Sequence, residues 1–79
     1  MSDYKPIDCG LYSRYELAIL RRQRLLLSWR DARSLVHLEV VEPHDLETCK
    51  GAEYLLASAG DGRKLRLRLD HISQTRVME

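Results

Sequence analysis

The chain has few cysteines and prolines, no long apolar run and no secretory signal, and these absences narrow the class of protein to which it can belong. Its 79 residues include only two cysteines and two prolines, and no apolar run approaches the roughly 20 residues needed to span a bilayer. Residues 1–10 do not place a basic region before an apolar one, so they do not match a secretory signal. We therefore expect a cytoplasmic protein with no membrane segment, folded as one small domain over residues 1–79.

The few potential metal ligands are poorly spaced for a metal site. Cys9 and Cys49 lie far apart in the chain, and neither belongs to a C-x-x-C pair. In a reducing compartment we expect two free thiols, buried or half-buried in the domain. His37, His44 and His71 are not spaced with either cysteine as zinc ligands are. The sequence predicts no metal site and no cofactor.

The short motifs that carry catalysis are also missing. The sequence contains no GxSxG, no HExxH and no glycine-rich phosphate loop. His37 is predicted on the outward side of a strand, and His44 and His71 in connections, where surface or capping roles are usual. We expect no enzymatic activity, which leaves binding as the class of function.

What the chain does contain suits a soluble folded domain, with 44% hydrophobic and 32% charged residues. Its net charge is only +1, but the charges are segregated along the chain. Residues 14–33 hold six arginines against two acids, residues 34–62 six acids against one lysine, and residues 63–79 five bases against two acids. Such segregation can guide a charged partner, or it can form the solvated faces of ordinary strands.

One helix is predicted near the N-terminus, at about residues 13–23. Ser13 and Glu16 match a capping box, in which each side chain bonds a backbone N–H of the first turn. A helix this short persists only when it packs on another element. We expect the helix and the tyrosine-bearing segment 1–12 to cover the open apolar end of a sheet.

Short strands are predicted to follow, over about residues 24–76. Leu25, Leu27 and Trp29 share one side of the first strand, and a turn at residues 31–34 leads into a second. Pro43 is predicted to end that second strand, because proline has no N–H to give the ladder. Residues 43–52 are then expected to form a loop or a single helical turn.

The second half of the chain repeats the strand pattern. The run EYLLASA leads through a Gly-Asp-Gly turn into RKLRLRLD, and HISQTRV can supply a fifth strand. In the fourth strand Leu65, Leu67 and Leu69 are predicted to point inward. A sheet this small hides its edges by curving on itself. The prediction is a mainly β fold with one N-terminal α-helix and about five antiparallel strands in a small, strongly bent barrel, with the helix packed across one end.

Basic residues form two rows that could contact phosphates. Readers of single-stranded RNA usually add exposed aromatic side chains on which bases stack, and most aromatics here are expected to pack inside. The rows are Arg14, Arg21, Arg22 and Arg24 at the helix, and Lys64, Arg66 and Arg68 on the fourth strand.

Several short motifs, in their order and spacing, resemble the Rho-binding antiterminator family, Rof. They are YKPIDC at 4–9, Tyr12, ELA at 16–18, DL at 45–46, EYL at 53–55 and KLRLRLDHI at 64–72. The resemblance covers nearly the whole chain. It implies a small, monomeric, bacterial cytoplasmic protein with an Sm/Hfq-like barrel. It also implies binding to transcription termination factor Rho at its primary RNA-binding region, which reduces Rho-dependent termination.

By position, the resemblance makes Asp8, Tyr12, Glu16 and Asp45 the candidate contacts to Rho. A carboxylate can occupy the place of an RNA phosphate in a basic groove. Two alternatives stay open at this stage. The chain could be an Sm-like RNA-binding module that uses its basic faces, or a domain whose partner is some other protein.

Overall fold

The computed structural model describes residues 3–78, which form one helix and one five-stranded sheet. The sheet is antiparallel throughout, in the order β4-β3-β2-β1-β5, so β4 and β5 are its edges. This confirms the mainly β fold with a single α-helix and five antiparallel strands. The elements are α1 Cys9–Leu20, β1 Arg24–Arg30, β2 Val36–Cys49, β3 Ala52–Ala59, β4 Lys64–Arg68, a 3-10 turn Leu69–His71, and β5 Ile72–Met78.

Helix α1 begins and ends earlier than the predicted residues 13–23. The Asp8 carboxylate accepts hydrogen bonds from the backbone N–H groups of Gly10 and Leu11, at 3.0 and 3.3 Å. Aspartate caps a helix as well as serine does, and Asp8 comes first in the chain. The capping box at Ser13 was therefore wrong. The helix ends before Gln23 because Arg22 adopts a left-handed backbone conformation, with φ of 53°.

Strand β2 continues past Pro43, so the predicted end of this strand was wrong. Pro43 lies opposite Ala57, and the β2–β3 register shifts between Pro43 and Asp45. Proline is tolerated at such a bulge, where the ladder is locally interrupted. The loop or helical turn predicted for residues 43–52 is therefore mostly strand.

The register of the first hairpin places His37 on the inner side of the sheet, not the outer side. His37 is paired with the buried Trp29, and their rings stack with centroids 5.2 Å apart. The turn sets this register, because Asp31 accepts hydrogen bonds from the N–H groups of Arg33 and Leu35. Asp31 also bonds the His37 ring at 2.7 Å.

The core lies between α1 and the inner face of the sheet. Leu67 and Leu69 are buried as predicted, whereas Leu65 is only half-buried and packs at the margin of the core. Leu69 belongs to the 3-10 turn, not to β4. The remaining core side chains come from the helix and from three strands: Tyr15, Ala18, Leu25, Leu27, Trp29, Val41, Leu55 and Ala57.

The segment before α1 lies against the rest of the domain. Tyr4 and Ile7 pack on the core, and the Lys5 backbone N–H donates to the carboxylate of Asp70 at 3.1 Å. Both cysteines are free, but Cys9 is exposed at the first residue of α1, so the expectation of buried or half-buried thiols holds only for Cys49.

Candidate functional site

Three of the four residues expected to contact Rho line one groove between α1 and β2. Tyr12 and Glu16 lie four residues apart on α1, so they share one face of the helix. Asp45 joins them from β2, directly after the bulge. We call this site the acidic groove; its apolar walls are Ile19, Leu20 and Leu46.

A further carboxylate, Glu53 of β3, lies close to the groove and was missed by the sequence analysis. Burial raises the pKa of Tyr12, and the negative charges of Glu53, Glu16 and Asp45 raise it further. The Tyr4 hydroxyl donates to Glu53 at 3.3 Å, and burial together with that carboxylate raises the pKa of Tyr4 to about 12. The sequence could not single out Glu53, because only strand pairing and the packing of residues 3–12 bring it here.

The acidic groove presents negative charge that the described residues do not neutralise with an ion pair. Within residues 3–78, no lysine or arginine forms an ion pair with Glu16, Asp45 or Glu53. A phenol ring and aliphatic walls stand beside these carboxylates. This combination suits an arginine or lysine side chain, whose charged head pairs with carboxylates while its stem packs on apolar surface.

Asp8, the fourth candidate, has a different position. It is the N-cap of α1, where its carboxylate accepts two backbone hydrogen bonds, and it does not line the acidic groove. Its contribution to the site is to fix where the helix starts. That start places Tyr12 within the helix, four residues before Glu16.

The basic row on β4 is partly neutralised by carboxylates. Arg66 donates from Nε and Nη2 to Glu47 at 3.1 and 2.8 Å, and its guanidinium lies 3.8 Å from the Tyr54 ring centroid. Arg68 donates to Asp70 at 2.7 and 2.6 Å. Two of the three predicted phosphate contacts on this strand are therefore already paired.

The other predicted phosphate contacts are exposed. Arg14 lies within α1, Arg21 and Arg22 follow the helix, Arg24 begins β1, and Lys64 begins β4. Within the described part of the chain, none of these five forms an ion pair. Strands β2 and β3 lie between β1 and β4 in the sheet, so the strand that Arg24 begins is not paired with the strand that carries Lys64, Arg66 and Arg68.

The histidines have local partners. The His44 ring lies 2.6 Å from the Ser58 hydroxyl, and His71 lies 4.0 Å from the Asp70 carboxylate. Among residues 3–78, no three or more His, Cys, Asp or Glu side chains are grouped so that they could hold a metal ion. No helix in the same range has the length and apolar character required to cross a membrane.

Comparison with known proteins gives a fold and no family. No protein-family model and no curated protein matches the chain. Among solved structures, it is similar to proteasome accessory factor B/C (PafBC) of Arthrobacter aurescens, with a TM-score of 0.77 and 19% identity. The match covers 96% of this chain but only 13% of that protein. It shows that this fold also occurs as a small part of a much longer chain.

Proposed function

We propose that the protein binds transcription termination factor Rho at its primary RNA-binding region and so antagonises Rho-dependent termination. One observation carries this proposal: Asp45, which lies far along the chain from Tyr12 and Glu16, lines a single groove with them. The resemblance of the sequence to the Rof family assigned these same residues to the partner. Such a role places the protein in the cytoplasm.

The chemistry of the acidic groove suits a surface that normally holds RNA. An RNA-binding groove offers lysine and arginine side chains to phosphates. The carboxylates of Glu16, Asp45 and Glu53 can take the places of phosphates, with charge-assisted hydrogen bonds to those cations. The ring of Tyr12 can lie against a guanidinium in the same contact. When this protein occupies the RNA-binding groove of Rho, RNA cannot load there.

A calorimetric titration against Rho tests the proposal. We expect saturable binding at micromolar concentration, and a loss of roughly tenfold or more in affinity for the double variant Glu16→Gln/Asp45→Asn. The matched control is Glu42→Gln, which removes an exposed acid of β2 outside the groove. No saturable binding in low and moderate salt, or an equal loss in the control, would overturn the proposal.

We also propose that the five-stranded sheet forms a monomeric Sm/Hfq-like barrel. Register shifts after Pro43 in β2 and between Ser28 and Trp29 in β1 support it, because bulges bend strands. One cavity is lined both by Trp29 at the end of β1 and by Leu67 of β4. These two strands are not neighbours in the sheet, and this shared cavity supports a strongly curved sheet.

RNA binding is the second candidate function, supported by Arg21, Arg22 and Arg24, which are exposed and form no ion pair with any residue of 3–78. If phosphate contacts carry the affinity, binding to single-stranded RNA weakens steeply as salt rises. A flat salt response, or no binding at about 50 mM salt, would exclude this function. The pairing of Arg66 and Arg68 with carboxylates makes it the weaker candidate.

A further inference from the structure

A second candidate surface lies on the outer face of β5, β1 and β2. Side chains of directly paired residues point to the same side of a sheet. Leu26 is paired with Val40 on β2 and with Arg76 on β5, and Arg30 is paired with Val36. Ser28, between them on β1, is paired with Leu38 and Gln74.

The middle of this outer face is apolar and uncovered. Val36 is 67% exposed and Leu38 is 64% exposed, although both lie within a regular strand. In β1, Leu25, Leu27 and Trp29 point into the core, whereas Ser28 and Arg30 point to the outer face. Val36 and Leu38 are paired with Arg30 and Ser28, so they also point away from the core. Leu26, Leu38, Gln74 and Arg76 line a shallow groove of about 480 Å³ on this face.

Positive charge surrounds the apolar groove. Arg24, Arg30 and Arg76 belong to the same face by their strand pairing, and none forms an ion pair within residues 3–78. Glu39 of β2 points to the other side, where it pairs with Arg63. Among the described residues, Glu42 lies at the margin of the outer face, and Asp70, which is already paired with Arg68, lines a cavity with Arg30 and Val36.

We propose that the outer face docks an amphipathic helix of a protein partner, with Asp or Glu residues flanking its apolar stripe. Leucine-type side chains of such a helix would enter the groove at Leu26 and Leu38, as helices do in apolar grooves. Its carboxylates would pair with Arg30 and Arg76, which offer bidentate donors. This surface is separate from the acidic groove and does not depend on the function proposed for that groove.

The composition of the outer face argues against two other occupants. A second copy docked by the same face would bring arginines against arginines, and like charges across an interface are costly. Single-stranded nucleic acid usually stacks its bases on aromatic side chains. Among the described residues of this face, none is aromatic.

The test uses two synthetic helical peptides of about 18 residues, which is five helical turns. Both carry the same leucine stripe; one has glutamates and the other lysines beside it. In an NMR titration of the labelled protein, we expect the glutamate peptide to bind saturably. It should shift the amide signals of Leu26, Leu38, Gln74 and Arg76 and leave those of the acidic groove in place.

The variant Arg30→Gln/Arg76→Gln should weaken that binding by roughly tenfold, and Leu38→Ser should weaken it similarly without unfolding the domain. The matched control, Arg14→Gln on the exposed side of α1, should bind as the wild type does. Absence of saturable shifts, equal affinity for the lysine peptide, or full binding by the double variant would overturn the proposal. Association only with vesicles of phosphatidylcholine and phosphatidylglycerol would overturn it equally.

Discussion

The hydroxyl groups of Tyr15 and Thr75 lie 2.8 Å apart, and this hydrogen bond joins helix α1 to the edge strand β5. Tyr15 is fully buried, and that burial raises its pKa. A buried hydroxyl needs such a partner, because an unsatisfied polar group inside a protein is costly. This contact adds to the packing of Tyr15 and Ala18 in the core, which holds the helix, and with it the acidic groove, against the sheet.

Loss of this hydroxyl should cost little compared with loss of the whole ring. Tyr15→Phe should lower the free energy of unfolding by about 0.5–1.5 kcal/mol. Tyr15→Ala, which also leaves a cavity, should lower it by about 3–5 kcal/mol. Urea denaturation of both variants checks the difference. Equal losses in the two variants would show that the ring does not fill the core.

The start of the helix can be tested by changing its cap. Asp8→Ala should lower the free energy of unfolding by about 0.5–2 kcal/mol, because two backbone N–H groups lose their acceptor. Asp8→Asn keeps an acceptor and should cost far less. Far-ultraviolet circular dichroism with urea denaturation measures both. If Ser13→Ala proved the more damaging change, the helix would begin at Ser13 after all.

The register of β4 gives a prediction about two adjacent residues. Leu67→Ala should lower the free energy of unfolding by about 2–5 kcal/mol, since it opens a cavity in a thin core. Arg66→Ala removes an exposed ion pair with Glu47 and should cost under about 1 kcal/mol. A denaturant series in which Arg66→Ala was the costlier change would contradict this register.

Acid should weaken the attachment of the N-terminal segment. Hydrogen bonds from Arg68, and then from the Lys5 N–H, lower the pKa of Asp70, whose side chain is only 9% exposed. A lowered folded pKa means that the carboxylate stabilises the fold above its unfolded pKa of about 3.9. This stabilisation is lost as the pH falls through the folded value.

Asp70→Asn should therefore flatten the dependence of stability on pH below about pH 4. Arg68→Gln should flatten it as well, because it removes the main cause of the lowered pKa. Urea midpoints across the acid range measure both variants. Variants that follow the wild-type curve through this window would show that the Asp70 contacts do not stabilise the fold.

The strands with simple alternation were predictable from sequence. Leu25, Leu27 and Trp29 in β1 and Leu67 in β4 are buried as the pattern indicated. One-sided apolar alternation leaves a strand only one face to bury, so burial follows directly from the residue order.

The start of the helix, the path of β2 past Pro43 and the orientation of His37 were not predictable, because each depends on tertiary contacts. The sequence offers two good helix caps, Asp8 and Ser13, and does not rank them. Proline ends a strand only at a position where the ladder requires a backbone N–H. Whether position 43 is such a position depends on its pairing with β3. Strand β2 has apolar residues on both faces, so the turn at Asp31, not the pattern, decides that His37 points inward.

The candidate site likewise contains residues that were predicted from sequence and residues that were not. Tyr12, Glu16 and Asp45 were named in advance, and the fold brings them into one groove. Asp8 was grouped with them, but it caps the helix instead. Glu53 could be found only after the sheet and the packing of Tyr4 were known.

Competition for Rho between this protein and a labelled single-stranded RNA, followed by fluorescence anisotropy, tests the proposed function most directly. We expect the protein to displace the RNA completely, and the protein concentration needed for displacement to rise in proportion to the RNA concentration. Glu16→Gln/Asp45→Asn should displace it far less well than Glu42→Gln. A complex in which Rho holds the RNA and the protein together, with anisotropy unchanged at saturation, would contradict it.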